Sequence, residues 1–219
     1  MVRATKHSSA VVGSRVTPAR SSGVVPLAFG GSDRDIVQAL RSGKQAGGAA
    51  IYDRYHQYVR RVLTRVLGPD AQLHDLIQDV FLAAIDSIDR LEDPDSLRSW
   101  LAGIAVFRAR GEIRRRTRQR WLASLSFEET AMSAVASRDP LIDEVLCATY
   151  EVMDKLPADE RIAFALRYVE GMELVEVAEV TQVSLATIKR RLRRAQQRFG
   201  ACACRHPALR DWVGGLKWT

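Results

Sequence analysis

The 219-residue chain is poor in cysteine, with only Cys147, Cys202 and Cys204. Three thiols build no disulfide framework, and their scarcity fits a reducing cytoplasm. No apolar run approaches the roughly 18 residues of a bilayer-spanning helix, so no membrane insertion is expected. Strand-like alternation of useful length is missing, which leaves an all-α chain. There is no glycine-rich phosphate loop, no His-Glu metal motif and no nucleophile with a plausible base, and His7, His56, His74 and His206 are scattered. An enzyme is therefore not expected, nor a cofactor. Cys202, Cys204 and His206 form a C-x-C-x-H cluster of zinc-ligand types. Three candidates within five residues and no evident fourth make a weak site, so no metal is assigned.

Acids are missing from two stretches. Residues 1–32 contain Arg3, Lys6, Arg15 and Arg20 but no Asp or Glu. That composition would suit an organellar transit peptide; the reading taken is a disordered basic tail. The second acid-free stretch lies between Glu179 and Asp211. Overall, 33 Lys and Arg face 26 Asp and Glu, a net charge of +7. The charges are segregated: Arg108 to Arg120 holds seven arginines and one acid, whereas Asp70 to Asp95 holds eight acids and one arginine. Such segregation points to two partners, one polyanionic and one with basic contact groups.

Ser32 followed by Asp35 signals a helix start, and Ser42-Gly43 ends that helix. A longer helix is expected from about Ala49 to Leu67, stopped by Gly68-Pro69, with Tyr52, Tyr55 and Tyr58 at the core edge. The next carries an apolar stripe of Leu73, Leu76, Ile77, Val80, Phe81, Ala84, Ile85 and Ile88. Its outer face shows Asp75, Gln78, Asp79, Ala83 and Asp86. Glu92 to Asp95 reads as a loop, because Pro94 disfavours helix at the residue before it. Ser96 is the expected cap of a helix that runs from Leu97 into the arginine block. Residues 121–139 read as a linker. Helical order returns at Leu141; Pro157 suits a first helical position, and Gly171 the left-handed residue past a helix end.

The segment Leu174 to Phe199 reads as two helices and a tight turn. Ser184 sits at an N-cap position, and Ile188, Leu192, Ala195 and Phe199 form one buried face. The other face carries Lys189, Arg190, Arg193 and Arg194, with Thr187 a turn earlier. A helix apolar behind, cationic in front and preceded by a helix and turn suits the DNA major groove.

Together these segments resemble an extracytoplasmic-function (ECF) sigma factor of the sigma-70 family. The resemblance rests on Asp75 to Phe81, on Leu97-Arg98-Ser99-Trp100-Leu101 with Ile104-Ala105, on Leu156-Pro157 and Leu166 to Gly171, and on Ala186 to Lys189 with Arg191-Leu192 and Arg194-Ala195. It implies a region 2 bundle at 33–120 and a region 4 helix-turn-helix at 140–204, two small helical domains joined by a flexible linker at 121–139, with a C-terminal tail at 205–219. The implied partners are core RNA polymerase (β′ clamp helices and β subunit), promoter DNA and an anti-sigma factor, in a bacterial cytoplasm. Asp75, Gln78 and Asp79 would bind polymerase. Trp100, Phe107, Arg108, Arg114, Arg115 and Arg116 would bind the −10 element. Thr187, Arg190, Arg193 and Arg194 would lie nearest the −35 bases, and Lys189 and Arg191 nearer its phosphates.

Some positions depart from the family pattern. Gln182 stands where the turn commonly has Gly, Ala186 replaces a second Gly, and Glu173 replaces a usual Ser or Thr cap. Gly47-Gly48 replaces a stretch with an aromatic core residue, which should weaken that helix start. Phe107, where Asn is frequent, has two readings: it shares an i, i+4, i+7 core stripe with Trp100 and Ile104, or it stacks on an extruded base for roughly 1–3 kcal/mol. A helix-turn-helix regulator that binds duplex DNA without polymerase is the alternative function. It leaves the Asp75–Ile88 helix without a task.

Overall fold

A computed structural model describes residues 31–69, 73–126 and 140–210. Eight α-helices account for most of them: α1 (Asp33–Arg41), α2 (Gln45–Leu67), α3 (Leu73–Asp86), α4 (Leu97–Ser126), α5 (Pro140–Met153), α6 (Ala158–Phe164), α7 (Leu174–Thr181) and α8 (Leu185–Ala203). No strand occurs among the described residues. The basic tail up to residue 30, linker residues 127–139, and Trp212 and Trp218 lie outside them.

Local chemistry sets most boundaries. The Ser32 hydroxyl accepts from Asp35 N–H, and the Asp35 carboxylate accepts from Ser32 N–H at 2.6 Å, closing a capping box on α1. Gly68 ends α2 at φ 85°, and Gly171, at φ 84°, follows the π-helical turn Ala165–Val169 that continues α6; both stand in a region open to glycine. Gln182 also stands in the left-handed region, at φ 54° and ψ 45°, so the turn carries about 1 kcal/mol of backbone strain.

Three expectations are corrected. α2 begins at Gln45, four residues early, because Gly47 is a close-packing position: a Cβ there would lie 2.8 Å from the Leu40 backbone nitrogen. Gly47 thus seats α2 on α1, while Gly48 faces Ile85 of α3. Ser96 is not the side-chain cap of α4; Asp93 accepts from Asp95 N–H at 3.1 Å and opens a 3-10 turn, Pro94–Ser96, that leads into the helix. α4 then continues through residues expected as linker, to Ser126. From Glu112 onward it meets neither Gly nor Pro and holds five Arg and two Leu, all good helix formers.

Helices α1 to α4 pack around Ile36, Ile51, Val59, Leu63, Val80 and Leu101, all fully buried. Helices α5 to α8 pack around Met153, Ile162, Leu166, Val177 and Ile188. Phe164 stacks on Phe199 with ring centres 4.7 Å apart, tying α6 to α8. The two bundles share one continuous buried cluster, with α4 against α6 and α7. Arg161, 1% exposed, reaches from α6 to the end of α2: its Nε donates to the Val66 carbonyl (2.8 Å) and its Nη2 to the Leu67 carbonyl (3.0 Å). Carbonyls at a helix end lack intrahelical donors, so the second bundle caps the first. Arg161 is also paired with Asp154.

Candidate nucleic-acid interface

The Ser184 hydroxyl accepts from Thr187 N–H and starts α8. Ile188, Leu192, Ala195 and Phe199 are buried, which fixes the helix rotation. Lys189, Arg190, Arg193 and Arg194 are consequently exposed in one cationic face. Thr187 is half-buried, its hydroxyl 3.0 Å from that of Ser184. Arg191 points sideways instead, half-buried, with Nη2 3.1 Å from an Asp159 carboxylate oxygen.

The arginine block of α4 is differently placed. Glu112, 8% exposed, accepts both Nε and Nη2 of Arg115 at 2.7 Å and Nε of Arg116 at 2.6 Å. Burial pushes the Glu112 carboxyl up, but hydrogen bonds from the two guanidiniums outweigh it and hold the group below its usual range. Arg110 pairs with Asp159 at 2.8 Å and Arg120 with Asp154 at 2.9 Å. Arg114 is exposed. Upstream, Trp100, Ile104, Phe107 and Arg108 line a groove of about 840 Å³ between α4 and the α7–α8 turn. Phe107 is 67% exposed, which removes it from the core and leaves its ring facing the groove.

On α3, Asp75, Gln78 and Asp79 are all exposed, and Gln78 Nε2 lies 3.0 Å from His74 Nε2. The expected apolar stripe is narrower than the sequence suggested, since Ile85 is 38% exposed. Leu82, 60% exposed, lies on the same outer face, four residues past Gln78 and three past Asp79. The sequence reading missed it, although that spacing was the available signal. The outer face thus combines acids with apolar contact area. His206 Nε2 lies 3.1 Å from a Glu151 carboxylate oxygen, so the ring of the C-x-C-x-H cluster is engaged by α5.

A helix-turn-helix with a cationic outer face, packed on a second helical bundle with its own basic helix, defines a DNA-binding protein of two helical units. The family model for sigma-70 region 2 matches residues 51–119, and that for sigma-70 region 4 matches 148–198; together they cover more than half of the chain. RNA polymerase sigma-H factor of Pseudomonas aeruginosa is 22% identical over 82% of this chain and 96% of its own length. ECF RNA polymerase sigma factor SigW of Bacillus subtilis is 24% identical over 74% of this chain and 91% of its own. Among solved structures, CnrH in complex with the cytosolic domain of CnrY has a TM-score of 0.53 at 23% identity, covering 77% of this chain and 95% of that one. The sigma factor RpoE of Bartonella quintana, in complex with the anti-sigma factor NepR, has a TM-score of 0.52 at 22% identity, covering 69% and 92%. The chain belongs to the sigma-70 family, as an ECF RNA polymerase sigma factor.

Proposed function

We propose that this sigma factor divides its work among three surfaces. The outer face of α3, with Asp75, Gln78 and Asp79 beside Leu82 and Ile85, docks on the clamp helices of core polymerase. The groove side of α4 captures the −10 element as single strand: Trp100 and Phe107 offer aromatic faces to unstacked bases, and Arg108 and Arg114 hold the backbone. Arg115 and Arg116, aligned by Glu112, supply positive field along the same helix. α8 enters the major groove of the −35 duplex with Thr187, Arg190, Arg193 and Arg194 toward bases and Lys189 toward phosphates. Residues 33–120 act as region 2 and 140–204 as region 4. The protein works by binding rather than catalysis, in the bacterial cytoplasm, and an anti-sigma factor controls it; the solved relative bound to NepR supports that partner.

The observation that carries this reading over a polymerase-independent regulator is the α3 face. Acids and two exposed aliphatic side chains on one helix form a contact surface that a duplex-only binder leaves unused. Asp79→Arg should weaken binding to core polymerase at least tenfold, with helical content by circular dichroism unchanged. Wild-type affinity for core enzyme in that variant would return α3 to an ordinary solvated helix.

A further inference from the structure

The groove beside α4 holds two charged groups that the three surfaces above leave unused. Asp86, Ser87 and Arg90, where α3 ends, line it together with Ser96, Ser99 and Trp100 at the entry to α4. Asp86 is the last residue of α3. A negative charge there meets the negative end of the helix dipole, and no basic residue in the last turn offsets it. Arg90 closes the 3-10 turn Ile88–Arg90. Both side chains are exposed, and neither makes an ion pair or a side-chain hydrogen bond among the described residues. The serines are already committed: Ser87, Ser96 and Ser99 donate their hydroxyl protons to the carbonyls of Ala83, Asp93 and Ser96. An open carboxylate and an open guanidinium fork therefore stand beside an indole ring.

A guanidinium fork pairs best with two acceptors in one plane, and a carboxylate with two donors. Guanine offers both, O6 and N7 to the fork and N1–H with the N2 amine to the carboxylate. Its two edges adjoin at O6, so a fork and a carboxylate that read it must stand side by side, as Asp86 and Arg90 do one turn apart. Cytosine gives the carboxylate only its N4 amine, adenine sets its N6 amine against the fork, and thymine gives the carboxylate a single N–H. We infer that the end of α3 is a guanine-reading site: Arg90 holds O6 and N7 of an extruded guanine, Asp86 holds N1–H and the N2 amine, and Trp100 stacks on the ring. The inference rests on the reading of α4 as the single-strand surface and names the base that enters it. The guanine is carried on a strand, whose phosphates Arg108 and Arg114 grip; a free guanine nucleotide shares the base edges but not that chain of phosphates.

The test is fluorescence anisotropy of the full-length protein on labelled thymidine strands of about 12 nucleotides, with guanine, cytosine, adenine or thymine at one central position. Guanine should bind about tenfold or more tighter than thymine, as expected for a bidentate contact, with cytosine second. Two analogues separate the edges. 7-Deazaguanine lacks N7 and hypoxanthine lacks the N2 amine, and each should give back about threefold or more of the gain. Arg90→Ala should no longer distinguish 7-deazaguanine from guanine while still distinguishing hypoxanthine, and Asp86→Ala should do the converse. Neither side chain has a partner to lose, so both variants should melt as the wild type does. Glu179→Gln, which alters the other carboxylate lining the groove near α7, should leave the base preference as it is. Millimolar dGMP should not displace the guanine strand.

Equal affinity for the four strands, or a preference for another base, would reject the guanine site; if Phe107→Ala still weakens binding to all of them, the single-strand surface itself stands. Strands that bind Phe107→Ala as tightly as the wild type would remove that surface, and the guanine site with it. A guanine preference that survives both Arg90→Ala and Asp86→Ala would overturn the assignment to these two residues. Displacement by dGMP but not by dAMP, without any preference among the strands, would make the groove a free-nucleotide site and overturn the strand-borne reading.

Discussion

The arginine block of α4 and helix α8 carry comparable numbers of cations, seven and six, yet they are presented differently. On α4, Glu112 lies three and four residues before Arg115 and Arg116, and acids of the second bundle take Arg110 and Arg120. On α8 the chain is acid-free from Val180 to Arg210, and the buried stripe rotates Lys189, Arg190, Arg193 and Arg194 away from every acid that holds Arg191. One helix presents an unneutralised field, suited to steering and gripping duplex DNA. The other presents cations already aligned and partly compensated, beside an aromatic groove. Counting basic residues treats the two alike, whereas their acid neighbours separate long-range attraction from local positioning.

The contrast is broken most severely at Arg161, a cation that serves neither surface. Arg161→Ala strips the donors from the Val66 and Leu67 carbonyls and removes a partner of Asp154. The expected loss is about 3 kcal/mol of stability, or a melting point lower by about 6–12 °C for a chain of this size. A thermal melt within 2 °C of wild type would show that α2 does not depend on this cap. A smaller effect sharpens the contrast itself. Lys189→Ala should reduce the slope of log affinity for duplex against log salt by about 0.9, one phosphate contact. Arg115→Ala should change it by less than half as much, since Glu112 already compensates that charge. Equal slope changes in a salt titration would show that acid neighbours do not govern availability. Within α8, Arg190→Ala should alter preference across a duplex panel by about 1–3 kcal/mol of discrimination.

Much of this was legible in the sequence where the determinant is local. Ser32 with Asp35, Ser184, Gly68 and Gly171 each set a boundary through atoms a few residues away, and the buried face of α8 follows from its spacing. The strain at Gln182 was readable for the same reason. Features that depend on distant partners were not. Arg161 caps carbonyls 94 and 95 residues earlier in the chain, and nothing beside it in sequence marks it as a core residue. Gly47 looked like a weak helix start because its close approach to Leu40 is tertiary. The Asp159 partner of Arg191 lies 32 residues away in the chain and was not readable, whereas Glu112, three residues before Arg115, was a local signal. Phe107 had two readings at helical spacing, and only its exposure separates them. Leu82 was readable in hindsight, as an apolar residue at the spacing of the acids on α3.

The most direct test is transcription itself. Purified full-length protein would be added to core RNA polymerase with DNA of its own genome, and transcript 5′ ends mapped. The account predicts initiation at defined sites that share −35 and −10 sequences. It also predicts that Phe107→Ala, with an unchanged melting point, lowers initiation at those sites on duplex templates by about tenfold, as expected for a lost stacking contact of about 1–3 kcal/mol. Templates already opened over the −10 region should restore most of that loss. Specific duplex binding with no start-site-directed transcription, or a Phe107→Ala defect that premelting leaves untouched, would contradict it.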